Sequence, residues 1–369
     1  MHVTGDFPGG NIVIDSIDGD VVRLRPDLRD TDGAWFYWHF QVAHAAGRTV
    51  RFEFTQGPAV GVRGPAVSED GGRSWRWLGP GPHDTFTYTF SVDGAPVAFC
   101  MTIPYTGSDW HRFLAAHAGN RHLRAGQLCT TAKGRPVETL VFGYLHDEPR
   151  HRVLLVARHH ACEAMASFAL EGLVAHVLAD TPESRSLRER VEFLAVPFMD
   201  KDGVEDGDQG KNRRPRDHNR DYADPSIHRE TAALRARLPN WDGERLSVAL
   251  DLHCPWLFGR LNERIYLVGL PADRHWREQQ RFAAHLERVC VGPLPYHAAN
   301  NLPYGTAWNT DANFSTGRSF AAWIAETTAT PLVATLELPY ANVTGVEVEG
   351  TSARAFGADL ARAIAAYLT

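Results

Sequence analysis

The stretch RVLLVARHHACEAMASFALEGLVAHVLAD (152–180) decides how the rest of the chain is read. Its opening RVLLVA (152–157) is a short continuous apolar run, the pattern of a strand covered on both faces. From 163 to 180 the apolar residues recur at helical spacing. Between strand and helix stand His159, His160, Cys162 and Glu163. Chemistry-bearing side chains thus crowd the carboxyl end of a buried strand, where open α/β sheets bind their ligands.

The texture continues downstream. VEFLAVPF (191–198), RLSVALDL (245–252), RIYLVGL (264–270) and PLVATLEL (331–338) read as further central strands. Helices fit SIHRETAALRARL (226–238), DRHWREQQRFAAHLERV (273–289) and SARAFGADLARAIAAYL (352–368). This alternation predicts an α/β domain on a mixed, largely parallel sheet flanked by helices. Upstream, the first hundred residues are short runs rich in β-branched and aromatic residues, among them WFYWHFQVAH (35–44), RTVRFEFTQ (48–56) and PVAFCMTIPY (96–105). Gly, Pro and Asp punctuate them at intervals that suit an antiparallel β-sandwich. WHRFLAAHA (110–118) reads as a short helix and 128–145 as a hairpin turning at Lys133-Gly134. Two domains are expected, 1–106 and 107–369, in keeping with a length of 369 residues.

Composition narrows the function. Apolar residues make up 44% and charged residues 22%, an ordinary globular balance. A net charge of −6 argues against a general nucleic-acid binder. The start, MHVTGDFPGGNIVI, has no basic stretch followed by an apolar run, so no secretory signal is expected, and no apolar stretch approaches the roughly 20 residues that span a bilayer. Cysteines at 100, 129, 162, 254 and 290 do not form a disulfide pattern, so a cytoplasmic protein is expected.

HxxE brings an imidazole and a carboxylate to one metal when the His precedes a helix and the Glu opens it. Zinc favours such donors and, in catalytic sites, keeps a position open. Spacing alone does not discriminate, because His275-Trp276-Arg277-Glu278 repeats it within a polar amphipathic helix, where it reads as a solvated face. The pair His160 and Glu163 differs in following a buried strand. A third ligand is expected at another strand end, and RLSVALDLHCPW places His253 there, with Asp251 two residues earlier to orient its ring. Glu337 lies inside an apolar strand, where an unpaired carboxylate costs several kcal/mol, and suits the general base. The run DGDQGKNRRPRDHNRDY (206–222) follows another strand; Asn219 and Arg220 in it match a substrate carboxylate, which points to an exopeptidase.

The order HxxE, then DGV…DHNR, then DLH, then a late strand Glu resembles the zinc carboxypeptidases related to carboxypeptidase A, and most nearly their cytosolic carboxypeptidase branch. ARHHACEAMASFALEGL (157–173), GGNIV (9–13), WFYWHFQV (35–42) and IPYTGSDWHRFL (103–114) carry the resemblance across nearly the whole chain. It implies one zinc ion held by His160, Glu163 and His253, with Glu337 as base and Asn219 and Arg220 on the terminal carboxylate. It also implies an upstream Arg that polarises the scissile carbonyl. An ungapped match puts Gly210 at that position, so Arg213 is the first candidate, with Arg214 and Arg216 behind it. Ala161-Cys162 replace the family's Pro-Gly and Cys254 replaces a Gly; both thiols are expected to pack. Tyr304 is the candidate for a tyrosine over the substrate.

The expected activity is hydrolysis of the last peptide bond of a peptide or protein, with acidic terminal residues suited to Lys211, Arg213, Arg214 and Arg216. Two rivals are a zinc amidohydrolase acting on N-acyl amino acids or peptidoglycan-like amides, and a binding protein with a vestigial peptidase domain. The expected partner is a peptide or protein C-terminus, with neither nucleic acid nor membrane. Oligomeric state and the lining of the pocket within 255–335 are not legible.

Overall fold

The computed structural model of the protein describes residues 1–146, 148–314 and 317–369. Nine strands precede the first helix: β1 His2–Thr4, β2 Val13–Asp18, β3 Val21–Arg25, β4 His39–Ala43, β5 Thr49–Phe54, β6 Ala66–Ser68, β7 Arg76–Trp77, β8 Thr85–Thr89 and β9 Val97–Cys100. They form two sheets, ordered β1-β4-β9-β6-β7 and β2-β3-β5-β8. Across the two sheets Phe40 meets Phe52, and Phe99 meets Phe52 and Phe86, at ring distances of 5.3–5.4 Å. The expected antiparallel pairing has one exception, since β3 runs parallel to β5.

Seven strands build the second layer: β10 Leu123–Thr130, β11 Pro136–Gly143, β12 His151–Ala157, β13 Val191–Val196, β14 Leu246–His253, β15 Tyr266–Val268 and β16 Leu332–Glu337, ordered β10-β11-β13-β12-β14-β16-β15. The four central strands are parallel and the flanking ones antiparallel. The helices are α1 Gly107–Ala116, α2 Ala164–Leu178, α3 Pro182–Arg188, α4 Lys201–Asp206, α5 Arg229–Asp242, α6 Asp273–Val289, α7 Phe320–Thr327 and α8 Gly350–Tyr367. On β12, Val153 and Leu155 enter one hydrophobic cluster and Leu154 and Val156 another, the period-2 alternation of a strand buried on both faces. The first cluster is shared with α2 and α8; the second is covered by α5 and α7.

Helix α2 is buried almost all round because α8 presses on it. A Cβ at Gly172 would lie 1.9 Å from the Arg354 carbonyl oxygen, and one at Gly357 1.9 Å from that of Ala169, so only glycine allows this approach. The contact holds the N-terminus of α2, and Glu163 before it, against the sheet. Among the described residues no helix is long and apolar enough to cross a membrane.

The two-sheet region and the seven-stranded layer share one continuous apolar cluster. His39 stands at their junction, packed edge-on against Phe7 at 4.8 Å, with Nδ1 3.3 Å from the Gly9 carbonyl. Burial lowers its pKa from 6.5 to about 4, against a smaller upward pull from the Gly9 carbonyl. The folded protein therefore keeps this ring neutral while the unfolded chain protonates it. Its contribution is intact above pH 6.5 and is lost as the pH falls through about 4, a window of about 2.5 pH units worth about 3 kcal/mol. Urea unfolding of the parent and of His39→Gln at several pH values checks this, and an equally steep loss in both proteins would refute it.

Candidate metal centre and active site

The carboxyl ends of β12, β14 and β16 lie side by side, and His253 and Glu337 are register partners. Directly after β12 the chain turns through Arg158, a non-glycine residue at φ 60°. Its buried guanidinium holds that turn by donating to the carbonyls of Ala161 and Tyr105 and to Ser167 Oγ. The turn delivers His160 and then Glu163, which stands at the N-cap position of α2, where the helix dipole favours a negative charge. His160 Nδ1 lies 2.9 Å from Glu163 Oε1, and His253 Nδ1 lies 2.8 Å from Glu163 Oε2 without completing a hydrogen bond.

Charge explains why these groups stay together. Glu163, Asp217, Asp251 and Glu337 are all buried, and Lys211 Nζ sits 2.5 Å from Glu163 Oε1. Burial would raise the Glu163 carboxyl; Lys211, His160 and His253 outweigh it and hold the group well below the usual carboxylate range. Burial works against a charged His253, and Asp251 and Glu163 overcome it, so the ring keeps its proton well above the usual range. Glu337 is pushed up to about 6 by burial and by Glu163, against His253 and Lys211. Its Oε2 is buried with no hydrogen-bond partner.

Three donor clusters within the described residues have metal-like spacing. In the first, His159, Asp251 and His253, the His159 ring is already committed at both nitrogens, 2.7 Å from Asp251 Oδ1 and 2.7 Å from Tyr222 hydroxyl. In the second, His218, His228 and Glu230, the imidazoles stack at 3.7 Å, which aligns their lone pairs rather than converging them. The third, His160, Glu163 and His253, opens on a cleft of about 370 Å³ that His160, His253 and Glu337 line. Two imidazoles, one carboxylate and an open side are a zinc donor set, and a cation there would displace the proton that Asp251 and Glu163 hold on His253. The residues fit the ion.

Behind these donors, Asp251 Oδ2 lies 2.8 Å from His253 Nε2, and Asp217 Oδ1 lies 3.8 Å from His160 Nε2. Asp251 thus faces two rings, His159 as well as His253. Cys162 and Cys254 are buried; burial pushes the Cys162 thiol up to about 12 and that of Cys254 well above its ordinary value, so both stay protonated and pack.

The loop after α4 divides its basic residues. Lys211, Asn219 and Arg220 line the cleft. The Asn219 amide lies 3.1 Å from His253 Nε2 and accepts from Phe320 N, and Arg220 donates to the carbonyls of Asn219 and Asn313. Arg213, expected at the scissile carbonyl, points elsewhere. Asp200, Asp208 and Asp30 surround its guanidinium at 2.6, 2.9 and 3.5 Å. Arg214 pairs with Asp32 and Arg216 with Asp221, and neither lines the cleft. Tyr304 donates to Asp311 and is also absent from the lining, whereas Trp308 of the same loop reaches it.

Gly210 explains the missing arginine. It has φ 75°, and a Cβ there would lie 2.2 Å from Ala161 N, beside His160. No side chain fits there, and the next residue, Lys211, is the one whose ammonium reaches Glu163. Sequence reasoning counted Lys211 only among the cations suited to an acidic terminal residue, although it adjoins the matched position. It missed Arg158, and the contribution of Trp35 from the two-sheet region, which lines the cleft beside Trp256 at a ring distance of 5.0 Å.

Residues 111–281 match the family described as Zinc carboxypeptidase, Peptidase M14. Human Cytosolic carboxypeptidase 2 is 28% identical over 228 residues, which are 58% of this chain and 25% of that protein. An uncharacterized protein of Zymomonas mobilis is 26% identical over 265 residues, 69% of this chain and 67% of its own length. The chain therefore spans only about a quarter of the length of the cytosolic carboxypeptidase it matches. In fold it is similar to the metallo-carboxypeptidase from Burkholderia cenocepacia, with TM-score 0.83 and 22% identity over 99% of this chain and 98% of that one. The metallo-carboxypeptidase from Pseudomonas aeruginosa, solved with (2-guanidinoethylmercapto)succinic acid, superposes with TM-score 0.80 and 22% identity over the full length of both chains. The mixed sheet and the zinc-type donor set at its carboxyl edge agree with the match of residues 111–281 to the zinc carboxypeptidase family.

Proposed function

We propose that the protein is a zinc-dependent carboxypeptidase that hydrolyses the C-terminal peptide bond of peptides or proteins. The observation that carries this reading is the placement of Glu337. Its buried, unpartnered Oε2 belongs to the register neighbour of His253 and faces the same cleft as His160. His160, Glu163 and His253 hold the zinc. When bound, zinc acts as a Lewis acid and lowers the pKa of a coordinated water to about 7.

Glu337 takes the proton from the attacking water and passes it to the departing amine. Asn219 and Arg220, at the cleft wall, bind the free carboxylate of the substrate and thereby restrict cleavage to the chain end. Lys211 directs its ammonium at the scissile carbonyl, the role first assigned to Arg213. Its carbonyl oxygen accepts from Thr31 Oγ1, and its Nζ donates to the Cys254 carbonyl at 3.1 Å, which fixes both ends of the side chain. Of the four cations that suggested an acidic terminal residue, Lys211 alone lines the cleft. All five cysteines are free thiols, which supports a reducing, cytoplasmic setting.

Metal analysis combined with assay of amino-acid release from peptide C-termini tests the reading. The parent is expected to carry one zinc and release terminal residues, and Glu337→Gln to keep the zinc while losing about 10²–10⁴ in kcat. An active Glu337→Gln enzyme would remove the base. Lys211→Ala is expected to lower kcat by about 10²–10³ with zinc content and melting temperature kept, the cost of losing one donor to a developing oxyanion. Loss of zinc in that variant would instead make Lys211 part of the cradle for Glu163. Asp251→Asn removes the carboxylate that faces His253 Nε2 and should weaken zinc binding about 10–100-fold in a chelator competition; unchanged affinity counts against its orienting role.

A further inference from the structure

The cleft does not end at the donor cluster. Tyr266 is the register partner of Glu337, and Val268 that of Thr335, two residues earlier on β16 and so on the same face as Glu337. Below the Glu337 carboxylate the cleft continues between β15, β16 and the start of α7, where Val268, Gly269, Leu270, Ser319, Ala321 and Thr335 line it. Every one of these side chains is uncharged, and the Ser319 hydroxyl is already committed as acceptor of Ala322 N at the cap of α7. Among the described residues the only Lys or Arg side chains lining the cleft are Lys211 and Arg220, engaged with Glu163 and with the carbonyls of Asn219 and Asn313. The acidic residues among the described lining are Asp217, which faces His160, and Glu337.

We propose that this recess receives the side chain of the departing residue and selects an uncharged, apolar one over Asp, Glu, Lys or Arg. The inference rests on the carboxypeptidase reading. A terminal residue whose carboxylate lies on Arg220 and whose peptide bond lies at Glu337 has its Cα between them, and the recess opens there. A Glu side chain entering it would meet Glu337 and find no counterion, since Arg220 is taken by the main-chain carboxylate. A Lys side chain would find no acid among Val268, Gly269, Leu270, Ser319, Ala321 and Thr335. Burying either charge without a partner is heavily penalised, whereas an aliphatic or aromatic group loses only its contact with water.

Peptides identical except for a last residue of Leu, Phe, Met, Glu or Lys, presented to the zinc-loaded full chain, decide the matter through kcat/KM. Leu, Phe or Met is expected to exceed both Glu and Lys by on the order of 100-fold. Thr335→Lys or Val268→Lys, whichever melts as the parent does, should raise the Glu-to-Leu ratio about tenfold or more by supplying the missing counterion. A parent that releases Glu as well as or better than Leu overturns the selectivity and leaves the carboxypeptidase reading standing. So does a folded lysine variant with an unchanged ratio. Release of no residue at all by zinc-bearing protein overturns the carboxypeptidase reading and this inference with it.

Discussion

Buried negative charge in search of a cation organises this molecule. Glu163, Asp217, Asp251 and Glu337 are withdrawn from water within one region, against a single buried ammonium, Lys211, and whatever proton His253 retains. Such a cluster is costly unless its charges are matched. The parallel strands β12, β14 and β16 place it at their common carboxyl edge, where the loops are free to carry polar groups and the sheet below supplies rigidity. A divalent ion between His160, Glu163 and His253 would offset much of that charge, and Glu337 and Lys211 line the same cleft, where the proposed function uses them.

The two-sheet region is a working part of this arrangement. Asp30 accepts from the amides of Gln209 and Gly210, and Gln209 exchanges two hydrogen bonds with the main chain of Tyr37. Asn11 donates to the Gly207 carbonyl. These contacts bridge more than 170 residues of sequence and clamp the segment that carries Lys211 against the turn that carries His160. Trp35 then closes one wall of the cleft. The same region therefore positions a cation and narrows the entrance, so its removal would act on the site as well as on stability.

The strand ends were readable because they combine two independent signals: a continuous apolar run and a metal-binding residue type at its last position. His253 and Glu337 end their strands, His160 and Glu163 follow directly on the turn after β12, and the structure brings all four together. The decoy His275 and Glu278 satisfies neither condition of position and lies within α6. Irregular segments carry no such periodicity. In 206–222 the sequence showed which cations exist but not which way each turns, and Arg213 was chosen where Asp30, Asp200 and Asp208 had already claimed it. Strands β1, β6 and β7, of two or three residues, are too short to show alternation. The cleft wall in 261–335 is assembled from edges and loops, whose identity depends on pairing across the sheet.

Gly210 turns that failure into an explanation. The loop approaches the Ala161 amide so closely that any side chain at 210 would collide with it, and the approach is what brings Lys211 to Glu163. An arginine at 210 would require the loop to withdraw and give up the hydrogen bonds that its amides donate to Asp30. Moving the cation one residue along resolves the conflict but changes its chemistry. A guanidinium offers a planar fork of donors, whereas an ammonium is a compact point charge on a flexible stem. The Thr31 and Cys254 contacts compensate by restraining that stem, so the orientation an arginine would obtain from its own planarity is obtained here from the surrounding backbone.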